Sequence, residues 1–510
     1  MEWERNPDMS TAARPNAIPL AVRVGRWADS RVLWTFLLLL GLTIRLRYYL
    51  CAASYWYDES FVVLAVRSLD FTALLGPRPY NLISPPLYLW IVRCLYLLGG
   101  DGELLMRLPA FAAGVVALLL MIPLTRRLLP GPWAVWAFAL AAVSPHAVSH
   151  GSEVHPYTLD LCAAEFILLC TFWLLEPGVE GCGRRWAVAG LGAVAAVGLW
   201  ASFPSAFVLA GASAALLIAV WRRPTVRGWV GWAGLNAAIA ASGALLWWFS
   251  ARHMYYPGMI EHWTNAWGGF PDWRKPLAAG RWLLYRPYEI CNYANRDLGV
   301  PLAALVFVGG VALAFRSPRQ AAAAATPFML AVSAALVGKY PLAHRTTMFL
   351  PPCVWLLAAV GLRELCRWAG RHRGKVAVMG ALMAGYAAAW TAPALIWPVP
   401  DPGLDYRGAY QFVHAHQRPG DLKYCQMAVV YDTYYGTDPA LLRDEEFPTA
   451  ERRVGEERLW AVFGDTRLDM RRRLEIAGGR VVLEHHVQGL VVLLFEPGTA
   501  QRSGPARPIQ

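Results

Sequence analysis

VLWTFLLLLGLTIRLRYYL, residues 32 to 50, followed at once by CAASYWYDES, residues 51 to 60, decides the fold of this chain. The first run is almost wholly apolar over the length of one bilayer crossing, which takes about 20 residues. Its only charges, Arg45 and Arg47, stand near its end, where long basic side chains are expected to reach the membrane surface. The residues before it are polar, contain Pro and mix charges, without the apolar core and small-residue cleavage site of a removable signal peptide. The run therefore reads as a first membrane helix and uncleaved insertion signal, and residues 1–31 read as a cytoplasmic tail.

Further apolar runs recur along the chain. Counting windows long enough to cross a bilayer gives about eleven spans. They lie near 32–50, 104–125, 132–147, 157–175, 187–203, 205–221, 229–249, 299–315, 321–338, 347–365 and 376–396. The loops between them alternate. One set is short and basic: Arg126-Arg127, Arg184-Arg185, Arg222 to Arg227, Arg316 to Arg319, and Arg363 to Lys375. The other set, 51–103, 148–156, 250–298 and 339–346, is mostly longer, aromatic and mixed in charge. Lys and Arg are retained on the cytoplasmic side, so this alternation orients every span. The strip 86–98, short, led by Pro and interrupted by Arg93, reads as an interfacial helix.

Composition agrees. Hydrophobic residues make up 56% and charged residues only 16% of the 510, whereas soluble domains are about a quarter charged. The net charge of +12 sits largely in cytoplasmic-type loops, so it argues for orientation in a membrane and against a nucleic-acid partner. Nine cysteines are scattered without a CxxC pair or metal-ligand spacing.

After Trp397 the texture changes. Residues 398–510 read as a small α/β domain on the outer face, with β-prone stretches at Leu422–Val430, Leu459–Phe463 and Val481–Leu494 and a frayed end. The fold expected is thus mainly α: a polytopic helix bundle over 32–397 with outer interfacial helices and a small C-terminal soluble domain.

The chemistry-bearing residues gather on the outer side. Tyr57-Asp58-Glu59 follows directly on the first span, at the depth where aromatic belts lie. A solvated loop start is the ordinary alternative. The second outer loop, SHGSEVHPY, puts Glu153 at a helix mouth with His155 and Tyr157; carboxylates at that depth pay a desolvation penalty and generally have a partner or a task. Lys339, Tyr340, His344 and Arg345 make a basic outer loop, against the topological trend. Either an anionic ligand or pairing with Asp58, Glu59 or Glu153 would compensate it. The loop 250–298 is rich in aromatics and bases; interface anchoring accounts for most of it, a lid over a lipid-linked substrate for the rest. Together, acids able to take a proton from a hydroxyl and cations able to steady a leaving phosphate suit glycosyl transfer.

These stretches resemble the C-type glycosyltransferases, in particular the bacterial relatives of protein O-mannosyltransferases and of lipid A aminoarabinose transferase. The resemblance rests on the acidic pair after the first span, PPLYLW, Met106-Arg107-Leu108-Pro109 and SEVHPY, and covers roughly residues 30–365. It implies a polyprenyl-phosphate sugar donor, a lipid, glycan or protein acceptor, and a site between the first two outer loops. Asp58 takes the base position with Glu59 beside it, and Glu153 the second acidic position. Arg345, with Lys339 and His344, is implied to hold the donor phosphate, and Tyr57, His155, Tyr157 and Tyr340 to line the substrate site. Ser84 and His155 stand where relatives often carry basic residues. A divalent metal is left open by the resemblance. It also implies a multi-pass protein of the plasma (inner) membrane. Two other readings stand beside it: a transporter or flippase for a lipid-linked or anionic substrate, supported by Glu165 inside a span, and a scaffold without catalysis.

Overall fold

The computed structural model describes residues 30–178, 181–256, 258–395 and 404–497; the N-terminal tail expected over 1–31, but for its last two residues, and the end expected to fray lie outside them. Among the described residues, helix occupies most of each of the eleven apolar runs. Among the described residues six helices, fewer than the eleven spans expected, are long and apolar enough to cross a membrane: Arg31–Leu50, Glu103–Leu128, Tyr157–Leu175, Ser205–Arg222, Val226–Phe249 and Gly299–Arg316. Pro86–Gly99 and Pro132–Ala142 are shorter apolar helices. Proline opens many of the elements, at Pro86, Pro132, Pro276, Pro318 and Pro351. There its fixed φ suits the first turn and its missing N–H is not needed.

Helix contacts follow the rule for apolar surroundings, where close approach of small residues and a few polar ties replace the hydrophobic drive. Helix Gly299–Arg316 lies so near Pro351–Trp368 that a Cβ on Gly309 would stand 1.9 Å from the Leu357 carbonyl oxygen, and one on Gly361 2.0 Å from that of Leu305. Trp355 Nε1 donates to Asn295 Oδ1 at 2.8 Å, and Asn295 Nδ2 to the Leu140 carbonyl at 3.1 Å.

Two expectations change. The run 132–147 is not one helix: it stops at Ala142 and restarts as Pro145–Ser149, because Pro145 has no N–H to continue the ladder. Arg45 does not reach the surface. It is 3% exposed and donates to the carbonyls of Gly41, Ala141 and Ala142, the last two at the helix end that the break creates. Glu165, 1% exposed, lies within electrostatic reach of it.

At the C-terminal end a five-stranded mixed sheet has the order β2-β1-β3-β5-β4, with β1 Leu422–Cys425, β2 Leu441–Leu442, β3 Leu459–Gly464, β4 Gly479–Val487 and β5 Leu490–Pro497. β1 pairs in parallel with β2 and β3, and β5 runs antiparallel to β3 and β4. Helices cover both faces: Tyr406–His416 and Ala428–Tyr435 pack on the side of Trp460 and Val462, Phe447–Arg453 and Leu468–Ile476 on the side of Tyr424 and Phe463. The stretch expected as one strand over Leu422–Val430 is strand only to Cys425. Met427 takes a positive φ of 67° and starts a helix. Val481–Leu494 is a hairpin turning at Gln488-Gly489, where Gly489 supplies the positive φ. The sheet unit is tied to the first outer loop. Tyr434 accepts from Tyr55 N at 2.8 Å and donates to Glu103 at 3.0 Å, and Arg407 donates to Glu103 at 2.8 Å.

Candidate functional site

Asp58 and Glu59 open the helix Tyr57–Ser68, where carboxylates suit the unsatisfied N–H groups and the positive end of the dipole. Their surroundings differ. Glu59 is 2% exposed and saturated. Its Oε1 accepts from Arg107 Nε at 2.9 Å and Val154 N at 2.7 Å; its Oε2 accepts from Arg107 Nη2 at 2.8 Å and Trp56 N at 2.9 Å. Arg107 further donates to the Ala53 and Ser54 carbonyls and lies 5.5 Å from the centre of the Tyr55 ring. One carboxylate thus joins the first outer loop, the helix Glu103–Leu128 and the second outer loop.

Asp58 keeps partial access and is ion-paired with Arg345. The Arg345 guanidinium also faces the rings of Tyr157 and Trp267, each at 5.8 Å. Cation–π contacts of this kind hold a guanidinium while leaving its fork free for an oxyanion. Glu153, partly buried, accepts from or shares a proton with His150 Nδ1 at 2.8 Å, and His150 Nε2 meets the Tyr293 hydroxyl. Burial opposes its ionisation, but His150, His155 and Arg345 outweigh that and hold its carboxyl down at about 2. His155 is 7% exposed and stacks on Tyr157 at 5.1 Å. Its Nε2 has no hydrogen-bond partner among the described residues. Burial, and then the charge of Arg345, push its pKa below the ordinary histidine value.

The remaining expected residues fall into place unevenly. Tyr340 braces its own loop, donating to the Thr346 carbonyl at 2.7 Å and meeting Phe207 edge-on. His344 is exposed, has a φ of 49° and meets the Trp267 ring at 5.6 Å. Lys339 is exposed. Tyr57 turns away, packing on Phe61 at 4.6 Å and against the core of the C-terminal sheet. Ser84 is 1% exposed and its Oγ has no partner among the described residues. No group of three His, Cys, Asp or Glu side chains among the described residues is placed to hold a metal ion.

The pairing of Arg107 with Glu59 escaped the sequence reading, as did Tyr293 and Asp160, whereas Trp267 belongs to the aromatic loop 250–298 already singled out. Arg107 carried a signal: a base at an apolar helix mouth needs a partner. Asp160, 5% exposed one turn into the helix Tyr157–Leu175, carried the same signal.

The fold is similar to that of solved membrane glycosyltransferases of the C-type architecture. Residues 84–248 match the model of the dolichyl-phosphate-mannose-protein mannosyltransferase family, in line with the resemblance drawn from the motifs. The structure is similar to that of ArnT from Cupriavidus metallidurans in the apo state, with a TM-score of 0.52 and 14% identity, over 93% of this chain and 99% of that one. It is also similar to the archaeal oligosaccharyltransferase AglB from Archaeoglobus fulgidus, solved with an inhibitory peptide and a dolichol-phosphate. There the TM-score is 0.50 and the identity 13%, over 92% of this chain and 74% of that one. No curated protein gives a significant match.

Proposed function

We propose that this chain transfers a sugar from a polyprenyl-phosphate donor to an acceptor hydroxyl at the outer face of the membrane. Asp58 is the base, Arg345 receives the donor phosphate, and the anomeric centre inverts. The observation that carries this reading is the Asp58–Arg345 ion pair, set between two aromatic rings where the outer loops meet. A phosphate competes for Arg345 through charge-assisted bonds. Its arrival frees Asp58 to accept the acceptor hydroxyl's proton while Arg345 stabilises the departing phosphate. Attack from the side opposite the phosphate inverts the centre. Glu59 is buried and saturated, so its part is to position Asp58; Glu153, with His150 and His155, shapes the second wall. The AglB neighbour, solved with a dolichol-phosphate, is in keeping with a lipid-phosphate donor.

The same reading carries the topology: eleven spans within 32–397, a cytoplasmic tail over 1–31 and an extracytoplasmic domain over 398–510, in the plasma membrane. The transporter alternative rests on Glu165, which is buried within electrostatic reach of Arg45 and has no hydrogen bond to it.

Asp58→Asn tests the base. The variant is expected to insert and fold normally and to transfer no sugar from a purified polyprenyl-phosphate donor; undiminished transfer removes Asp58 from the mechanism.

A further inference from the structure

Chain order and strand order disagree between β1 and β3: from β1 the chain passes to β2 on one side and then crosses to β3 on the other. In open α/β sheets the two connections leave such a point in opposite directions, opening a crevice at the carboxyl ends of the two strands, where ligands bind. A crevice of about 310 Å³ lies there. Gln426 directly follows β1, and Arg467 follows β3 by three residues. Tyr424 and Phe447, both buried with ring centres 5.0 Å apart, make an aromatic floor.

The polar groups around it are donors with little to bind. Gln426 Oε1 accepts from Gly464 N at 3.0 Å and so bridges the two strand ends. Its amide nitrogen makes no hydrogen bond among the described residues. Arg467 uses only Nε on its side chain, toward Asp469 at 3.2 Å, and its two terminal nitrogens are likewise without partners among the described residues. So is the Tyr424 hydroxyl. Arg473, by contrast, is engaged bidentately by Glu451 and lies over Phe447 at 4.8 Å. Asp444, tied to Met427 N at 2.8 Å, is the one carboxylate lining the crevice, where it can accept from a hydroxyl.

We propose that this crevice binds a sugar bearing an anionic substituent. Its carboxylate or phosphate would meet Arg467, Gln426 and Tyr424, and a ring hydroxyl would meet Asp444. The forked guanidinium and the amide match an oxyanion, the aromatic floor suits the apolar face of a pyranose, and the volume is that of a small-ligand site. None of these residues belongs to the transfer site.

The test uses the full chain in lipid nanodiscs, with glucuronate as probe and glucose and inorganic phosphate as the neutral and bare-anion comparisons. Binding is read by saturation-transfer NMR and calorimetry. Glucuronate is expected to bind more tightly than either comparison. Arg467→Ala, at an exposed position, should weaken it by about tenfold with the melting temperature unchanged, and Asp58→Asn should leave it unaffected. Three results overturn the proposal: no binding of glucuronate, phosphate binding as tightly as glucuronate, or loss of binding in Asp58→Asn but not in Arg467→Ala.

Discussion

Arg107→Ala is expected to be among the most damaging single changes in the loops around Asp58. Arg107 and Glu59 are each 2% exposed. Removing one partner of a buried pair leaves the other charge uncompensated and costs about 3–5 kcal/mol. Glu59 would retain the bonds from Trp56 N and Val154 N, so the loss belongs near the lower end, about 3 kcal/mol. The carbonyls of Ala53 and Ser54 lose their donor as well, which loosens the segment leading into Asp58. The double change Glu59→Gln with Arg107→Met removes both charges and should recover most of the loss, giving a coupling energy of about 2 kcal/mol in a double-mutant cycle. A suitable comparison is the surface pair of Arg471 and Glu475, one helical turn apart, whose deletion should cost no more than about 1 kcal/mol. The assay is unfolding in mixed micelles, with sugar transfer followed in parallel. If Arg107→Ala unfolds within the range of the surface pair, the three-segment strut around Glu59 is not what holds the loops together.

Three further outcomes are expected. Arg345→Ala should raise the KM for the lipid donor about tenfold or more, through loss of charge-assisted phosphate contacts, and change that for the acceptor little; equal effects on both would remove the phosphate role. Tyr434→Phe should lower stability by about 1 kcal/mol through its bonds to Tyr55 and Glu103, and its kcat should fall with donor KM unchanged, measured by steady-state kinetics. Acid should destabilise the outer loops in two windows. His155 has a depressed pKa, so the unfolded chain takes up its proton first and stability declines as pH falls below about 6.5. Glu153, held at about 2, contributes stability that is full above its ordinary value of 4.5 and is lost as pH falls toward 2. Melting temperatures across pH should show both declines, and His155→Gln should shrink the upper one, to which His344 also contributes, and leave the lower one.

Much of the fold was legible because a bilayer imposes a simple rule on the chain: each crossing needs a long apolar run. Among the described residues, helix occupies most of each of the eleven runs read that way. The break at Pro145 was legible in principle, since proline cannot continue a helix, yet hydropathy averages over it. Arg45 and Glu165 were misread or unexplained for a related reason. From either residue alone a span shows only an isolated charge, and their proximity depends on how three helices pack. In the C-terminal unit, alternation marked three strand regions but not where Met427 turns the first into a helix.

The site divides in the same way. Sequence alone picked out Asp58, Glu59, Glu153 and Arg345, because charge at a helix mouth is rare enough to stand out from an apolar background. Their own chemistry left Asp58 and Glu59 equivalent, as adjacent acids on one loop, the base position falling to Asp58 by family resemblance alone. Only the tertiary structure separates them: one turn of helix points Glu59 inward, where Arg107 and two backbone N–H groups saturate it, and leaves Asp58 with Arg345. The physical reason is that burial and pairing are properties of neighbours brought from distant parts of the chain. A sequence states which groups carry charge; packing decides which of them remain free to react.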